Sequence, residues 1–327
     1  MNTQEIVTSA GGVGVERRSF NRLYITPHEP IESAENLSNL FTRITSIVER
    51  RRIVSRGVLR AIVPLEVLQE SIDRNLHPEV VIPLDEHDRD DSILAIFAHN
   101  NWVRSRTIEP IEDMVQQTND ELQSVESLDI NVASLRSLPS PIIGPSQYAS
   151  LHELWGTTFG WSHEQIRSFA RTIMQQYTQT GIDRTLWFSG LEANDRSANP
   201  SAFVSAAMAE RVDLVGLNKT IHLVESTEWR SSPNRTRPAG SILPVLHNLH
   251  NQVLRDIPDA LIVAECNYAS RADRRGHQAG FVVPDRSFAP QILVQNVGVH
   301  DGKNNWPLRD FTMMMYRRAE NRELQCA

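Results

Sequence analysis

Two acids, Glu225 and Glu228, stand in the run VESTEWRSSPNRTRPAGS at Val224–Ser241. A carboxylate held beside a reacting amine can take its proton, so both are candidates for general base work. On a strand, residues three apart face opposite sides, so only one of the two meets a given ligand unless a bulge intervenes. Glu228 lies nearer the loop that follows, and Glu225 is the second candidate. The alternative is that both are surface acids paired with the loop's arginines. Glu210, on the preceding strand-like run, is a third candidate, suited to a substrate's cationic end. After the acids come Trp229 and Arg230, then Arg235 and Arg237, then Pro238, Ala239, Gly240 and Ser241. A helix-like stretch, ILPVLHNLHNQVLRDI, follows. The N–H groups of a helix's first turn lack intrahelical partners, so this basic loop is a natural seat for an anion such as a pyrophosphate.

Other chemistry-bearing residues give less. His247 and His250, three apart on that helix, share a face, but no third metal ligand converges on them, and a solvated face is the expectation. Cys266 reads as a buried strand residue, and with Cys326 it forms no disulfide or zinc pattern. No nucleophile–histidine arrangement is evident, so no covalent intermediate is expected.

Elements must position these residues. The 327 residues, 40% hydrophobic and 22% charged, suit a globular chain of two domains. A net charge of −7 argues against nucleic acid as the main partner, although a local basic loop can still hold a phosphate. The N-terminus has no basic region followed by an apolar core, and no apolar run approaches ~20 residues. These features lead us to expect a cytoplasmic protein with reduced thiols and no membrane partner.

Apolar spacing predicts helices at Asn36–Arg51 and Pro64–Asn75, and strands at Val58–Val63, Val80–Pro83 and Ser92–Ala98. These form a small α/β domain over residues 1–105. Residues 106–140 form a polar connector that runs into the Pro-rich segment SLPSPIIGPSQ. The second domain, 141–327, reads as helices Tyr148–Phe159 and Ser162–Gln176 and strands Thr185–Glu192, Phe203–Val212 and Thr220–Trp229. The basic loop follows, then helix Ile242–Ile257, strand Ala260–Cys266, a short helix Ala269–Gln278, and strands Gln291–Val299 and Phe311–Tyr316. No internal repeat is visible.

This order resembles the Gcn5-related N-acetyltransferase (GNAT) fold, an α/β architecture of a mixed sheet with flanking helices. Its members carry [QR]-x-x-G-x-[GA] between the fourth strand and third helix. Arg237-Pro-Ala-Gly240-Ser-Ile242 fits the first four positions and departs at the last, where Ile242 replaces a small residue. Pro238 removes one possible donor. The run Glu225-Ser-Thr227-Glu228-Trp229 with its Arg-x-x-Gly loop, and the turn Gln295–Gly302, are similar to the beta-lysine acetyltransferase branch. That branch also carries an incomplete acyltransferase-like half before its working domain.

The resemblance implies acyl transfer from acetyl-CoA or another acyl-CoA, without a metal, to a primary amine of an amino acid or derivative, with Glu228, the second acid of the family's run, as the favoured base over Glu225. CoA would lie against Trp229, Arg230, Arg235, Arg237, Ala239, Gly240 and Ser241, with Asn267 and Ser270 on its pantetheine arm. A tyrosine near the CoA sulfur is common in the family. Its place falls near Arg275-Gly276, where there is none, and Tyr268 is the available substitute. Trp155, Phe159 and Trp161 would line the acceptor pocket, with Asn296 and Asp301 on the acceptor's polar groups. The same aromatic spacing also suits a plain core. The partner is then a small-molecule amine, with a homodimer left open. Two other readings stand: a degenerate binding or sensor module, and a donor carried on a carrier protein or tRNA. The chain's acidity disfavours the second.

Overall fold

The computed structural model describes residues 12–17, 22–50, 56–84, 92–100, 148–149, 151–152, 162–176, 181–192, 203–217, 220–230, 242–267, 276–284, 289, 292–294 and 311–317. The expected connector, 106–140, lies outside the described residues.

The chain folds into two mixed sheets with flanking helices. The first has β1 (Gly12–Arg17), β2 (Arg22–Pro27), β3 (Arg56–Pro64), β4 (Val80–Pro83) and β5 (Ser92–Asn100) in the order β1-β2-β3-β5-β4. Helix α1 (Ala34–Arg50) joins β2 to β3, which are parallel, and α2 (Leu65–Asp73) leads from β3 toward β4. Helix α1 forms because Leu37, Leu40, Ile44, Ile47 and Val48 recur at helical spacing, and all are buried against the sheet. Gly57 on β3 lets α1 approach closely. A Cβ there would stand 2.6 Å from Val48 Cγ2 and 2.8 Å from Ile44 Cγ2.

The second sheet has β6 (Leu186–Glu192), β7 (Phe203–Val215), β8 (Thr220–Arg230), β9 (Leu261–Asn267), β10 (Ile292–Val294) and β11 (Phe311–Arg317) in the order β10-β11-β9-β8-β7-β6. Helix α3 (His163–Gln176) precedes it, and α4 (Leu243–Asp256) crosses from β8 to the parallel β9. β7 runs three residues beyond its expected end at Val212. The expected strand Gln291–Val299 is described only at β10. Of the expected helix Ala269–Gln278, the described part is a single turn at 276–278.

The two sheets repeat one topology. In each, an antiparallel pair (β1-β2, β7-β8) leads through a helix to a parallel strand (β3, β9). The last strand of each set (β5, β11) then inserts between that strand and the one before it (β4, β10). The sheets meet face to face. Tyr24, Val58, Ile62, Val80, Ile82, Leu94 and Ile96 from the first pack with Leu214, Leu223, Leu261 and Val263 from the second in one buried cluster. Helices α1 and α4 cover the outer faces. No helix among the described residues is long and apolar enough to cross a membrane.

Candidate functional site

β8 and β9 pair over a short ladder, Leu223↔Leu261 to Ser226↔Ala264. Beyond it β8 stays with β7 as far as Arg230, while β9 stays with β11 as far as Asn267. The sheet therefore parts at the carboxyl ends of its two parallel strands. This is the place where an open α/β sheet holds a ligand, and a chain of amide groups can lie along parted strand edges.

Helix α4 runs back from this end, so its N-terminus lies beside the split. The helix cap is Ile242, which makes no side-chain cap hydrogen bond, and no acid stands in the first turn. The N-terminal partial charge of such a helix favours an anion. Ile242 is fully buried in the core under α4, and its carbonyl accepts from the Leu246 N–H at 3.0 Å. The departure from a small residue at the end of the loop motif is thus explained by packing. The other end of α4 is pinned to β6: Asp256 accepts from Trp187 Nε1 at 2.8 Å and Arg184 Nη1 at 3.1 Å. Asn248 Nδ2 donates to Ser189 Oγ at 3.1 Å.

The equivalent helix of the first sheet differs. Ser33 Oγ accepts from the Asn36 N–H at 3.2 Å, and Glu35 stands in the first turn of α1. That helix end is already capped by its own chain and repels an anion. Of two sites alike in topology, the second alone among the described residues keeps its helix end open.

At the split, polar side chains of the two sheets meet. Arg60 on β3 donates to Glu225 on β8 in a buried ion pair, and its guanidinium lies 4.1 Å from the Tyr24 ring centroid. The Tyr24 hydroxyl donates to Glu265 Oε1 at 3.4 Å. Glu225 is 8% exposed. A cation from the other sheet holds it; the surface-acid alternative turns on the loop's arginines, whose side chains lie outside the description. Glu210 is exposed and stands directly opposite Glu225 in the ladder.

Glu228 pairs in register with Ala207, and the β7–β8 ladder has no shift from Thr220 to Arg230, so no bulge intervenes between the two acids. Trp229, Arg230 and Asn267 are likewise described as strand backbone, and the side chains of these four lie outside the description. Arg235, Arg237, Ala239, Gly240, Ser241, Tyr268, Ser270, Trp155, Phe159, Trp161, Asn296 and Asp301 lie outside the described residues.

The solvated-face expectation for the helix histidines is corrected at His250. It is fully buried and packs edge-on against Phe281, with centroids 4.9 Å apart. Burial, then Arg317, then His247 hold its pKa well below 6.5. Cys266 is buried. The absence of a tyrosine near Gly276 has a steric reason. A Cβ at Gly276 would stand 2.9 Å from Met315 Sδ and 3.0 Å from Cys266 Sγ. The sequence reading missed Arg60, Tyr24 and Glu265. Its available signal was a lone charge inside an apolar strand, VLRAIV or ALIVAEC, since a buried charge needs a partner.

No protein-family model matches the chain, and no curated protein matches it. Solved structures similar to it include the NatC complex bound to Gag peptide and CoA, at 12% identity and TM-score 0.36, covering 55% of this chain and 96% of that one. Arabidopsis thaliana NAA60 in complex with a bisubstrate analogue is similar at 14% identity and TM-score 0.35, covering 53% and 94%. Aminoglycoside acetyltransferase AAC(6')-Ib in complex with coenzyme A and kanamycin is similar at 12% and 0.34, covering 55% and 91%.

Proposed function

We propose that the chain is an N-acyltransferase that moves an acyl group from acyl-CoA to a primary amine of an amino acid or derivative. One observation carries the reading: the parallel strands β8 and β9 part beside a helix N-terminus whose cap residue, Ile242, makes no side-chain hydrogen bond. The loop of Arg230, Arg235, Arg237 and Gly240 enters that helix end and would hold the pyrophosphate. The pantetheine arm would lie in the split, and the amine would attack the thioester directly. Glu225 is engaged by Arg60, so the base is to be sought at Glu228 on β8 or among the acids of the neighbouring strands.

Titration calorimetry tests the reading. CoA should bind once per chain, and Arg237→Ala and Gly240→Asp should each weaken it about ten- to hundredfold, the effect of a charge-assisted contact worth ~1.5–3 kcal/mol. Unchanged affinity in both variants would remove the loop from the site. CoA binding without acylation of any amine would favour the sensor module.

A further inference from the structure

The polar contacts at the split follow a pattern. The parallel ladder of the first sheet, Arg22↔Arg56 to Ile25↔Leu59, ends as the β8–β9 ladder does. Past it, β2 stays with β1 to Pro27, and β3 stays with β5 to Pro64. Matching the two ladders end to end sets Tyr24 in the place of Glu225 and Arg60 in the place of Glu265. The contacts then cross: Tyr24 reaches Glu265, and Arg60 reaches Glu225. In an isologous pairing, residue i meets j and j meets i. The two sheets thus pack about an approximate twofold axis, with the parting point of each facing that of the other.

The axis places the first sheet's side chains at the second sheet's split. Glu265 is the first residue of β9 beyond the ladder, on the same face as Leu261 and Val263, and it is half-buried. Glu225 is committed to a buried guanidinium. Glu265 meets the Tyr24 hydroxyl, a group that can both donate to and accept from a carboxyl.

We propose, resting on the acyltransferase reading above, that the first sheet completes the active site: Glu265 is the general base and Tyr24 is its positioning residue. The amine nitrogen attacks the thioester carbonyl carbon, and the N–C bond forms as the C–S bond breaks. The proton from nitrogen passes to the Glu265 carboxylate, and a proton leaves that carboxyl for the departing thiolate. The products are an amide and the free CoA thiol. Arg60, over the Tyr24 ring and paired to Glu225, holds the phenol in place.

The test uses the full chain, acetyl-CoA, and L-lysine, β-lysine and spermidine as probe amines, with thiol release followed across pH. Glu265→Gln should lower kcat about 10²–10⁴-fold and abolish the limb that rises with pH, while calorimetric CoA affinity stays unchanged. Tyr24→Phe should displace that limb along the pH axis, which a packing role alone would not do. Full turnover with an intact limb in Glu265→Gln overturns the proposal, above all if Glu228→Gln abolishes the limb instead. A limb unmoved in Tyr24→Phe removes the positioning role. If CoA does not bind the wild type, or no probe amine is acylated, the acyltransferase reading falls first and the proposal falls with it.

Discussion

A buried histidine has a cost that depends on pH. His250 is neutral in the fold because burial, with Arg317 and His247 nearby, lowers its pKa well below 6.5. In the unfolded chain it titrates near that value. Below about pH 6.5 the unfolded state binds the extra proton, so stability is full above that pH and is lost as pH falls. The slope approaches ~1.4 kcal/mol per pH unit for each such group. His277, also lowered, chiefly by its burial, adds in the same direction. Urea unfolding midpoints should therefore drop between about pH 7 and pH 5. His250→Gln, which does not titrate, should flatten part of that slope; an unchanged slope would show that His250 is protonated in the fold.

At the scale of elements, α1 lies on β3 at a distance set by a missing side chain. Gly57→Ala would place a methyl group against Val48 and Ile44, both buried in the core under α1. The expected cost is ~1–3 kcal/mol, read as a lower urea midpoint, while the CoA binding proposed for the other sheet should keep its affinity. Most elements were legible in the sequence because their apolar residues recur at fixed spacing. Leu37, Leu40, Ile44 and Val48 announce α1, and Leu246, Leu249 and Val253 announce α4. The acids of β8 stand out in the sequence as charges in a strand. Their partners were not legible there, because Arg60 is far from Glu225 in sequence and only the packing of two sheets brings them together. The repeat was hidden for a related reason. The residues matched by the two ladders, Tyr24 with Glu225 and Arg60 with Glu265, differ in kind because they must fit each other.

For the molecule as a whole, the face shared by the sheets is a single core. Val58, Ile62, Leu94 and Ile96 on one side and Leu214, Leu223, Leu261 and Val263 on the other are all buried there. Separating the sheets would expose that surface and strand the Arg60 and Glu225 charges. Unfolding should therefore be one cooperative transition. Hydrogen exchange followed by mass spectrometry should find β3 and β8 opening with the same free energy and the same denaturant dependence. Two separate openings would mean that the shared core contributes little. The joint also has a sense of identity. One side brings an arginine and a tyrosine, the other two carboxylates. Were two copies of the second sheet to meet through this face, Glu225 and Glu265 of each would confront acids alone; two copies of the first would leave each buried Arg60 without its carboxylate. The arrangement that mimics a homodimer thus disfavours the pairing of like sheets through this face.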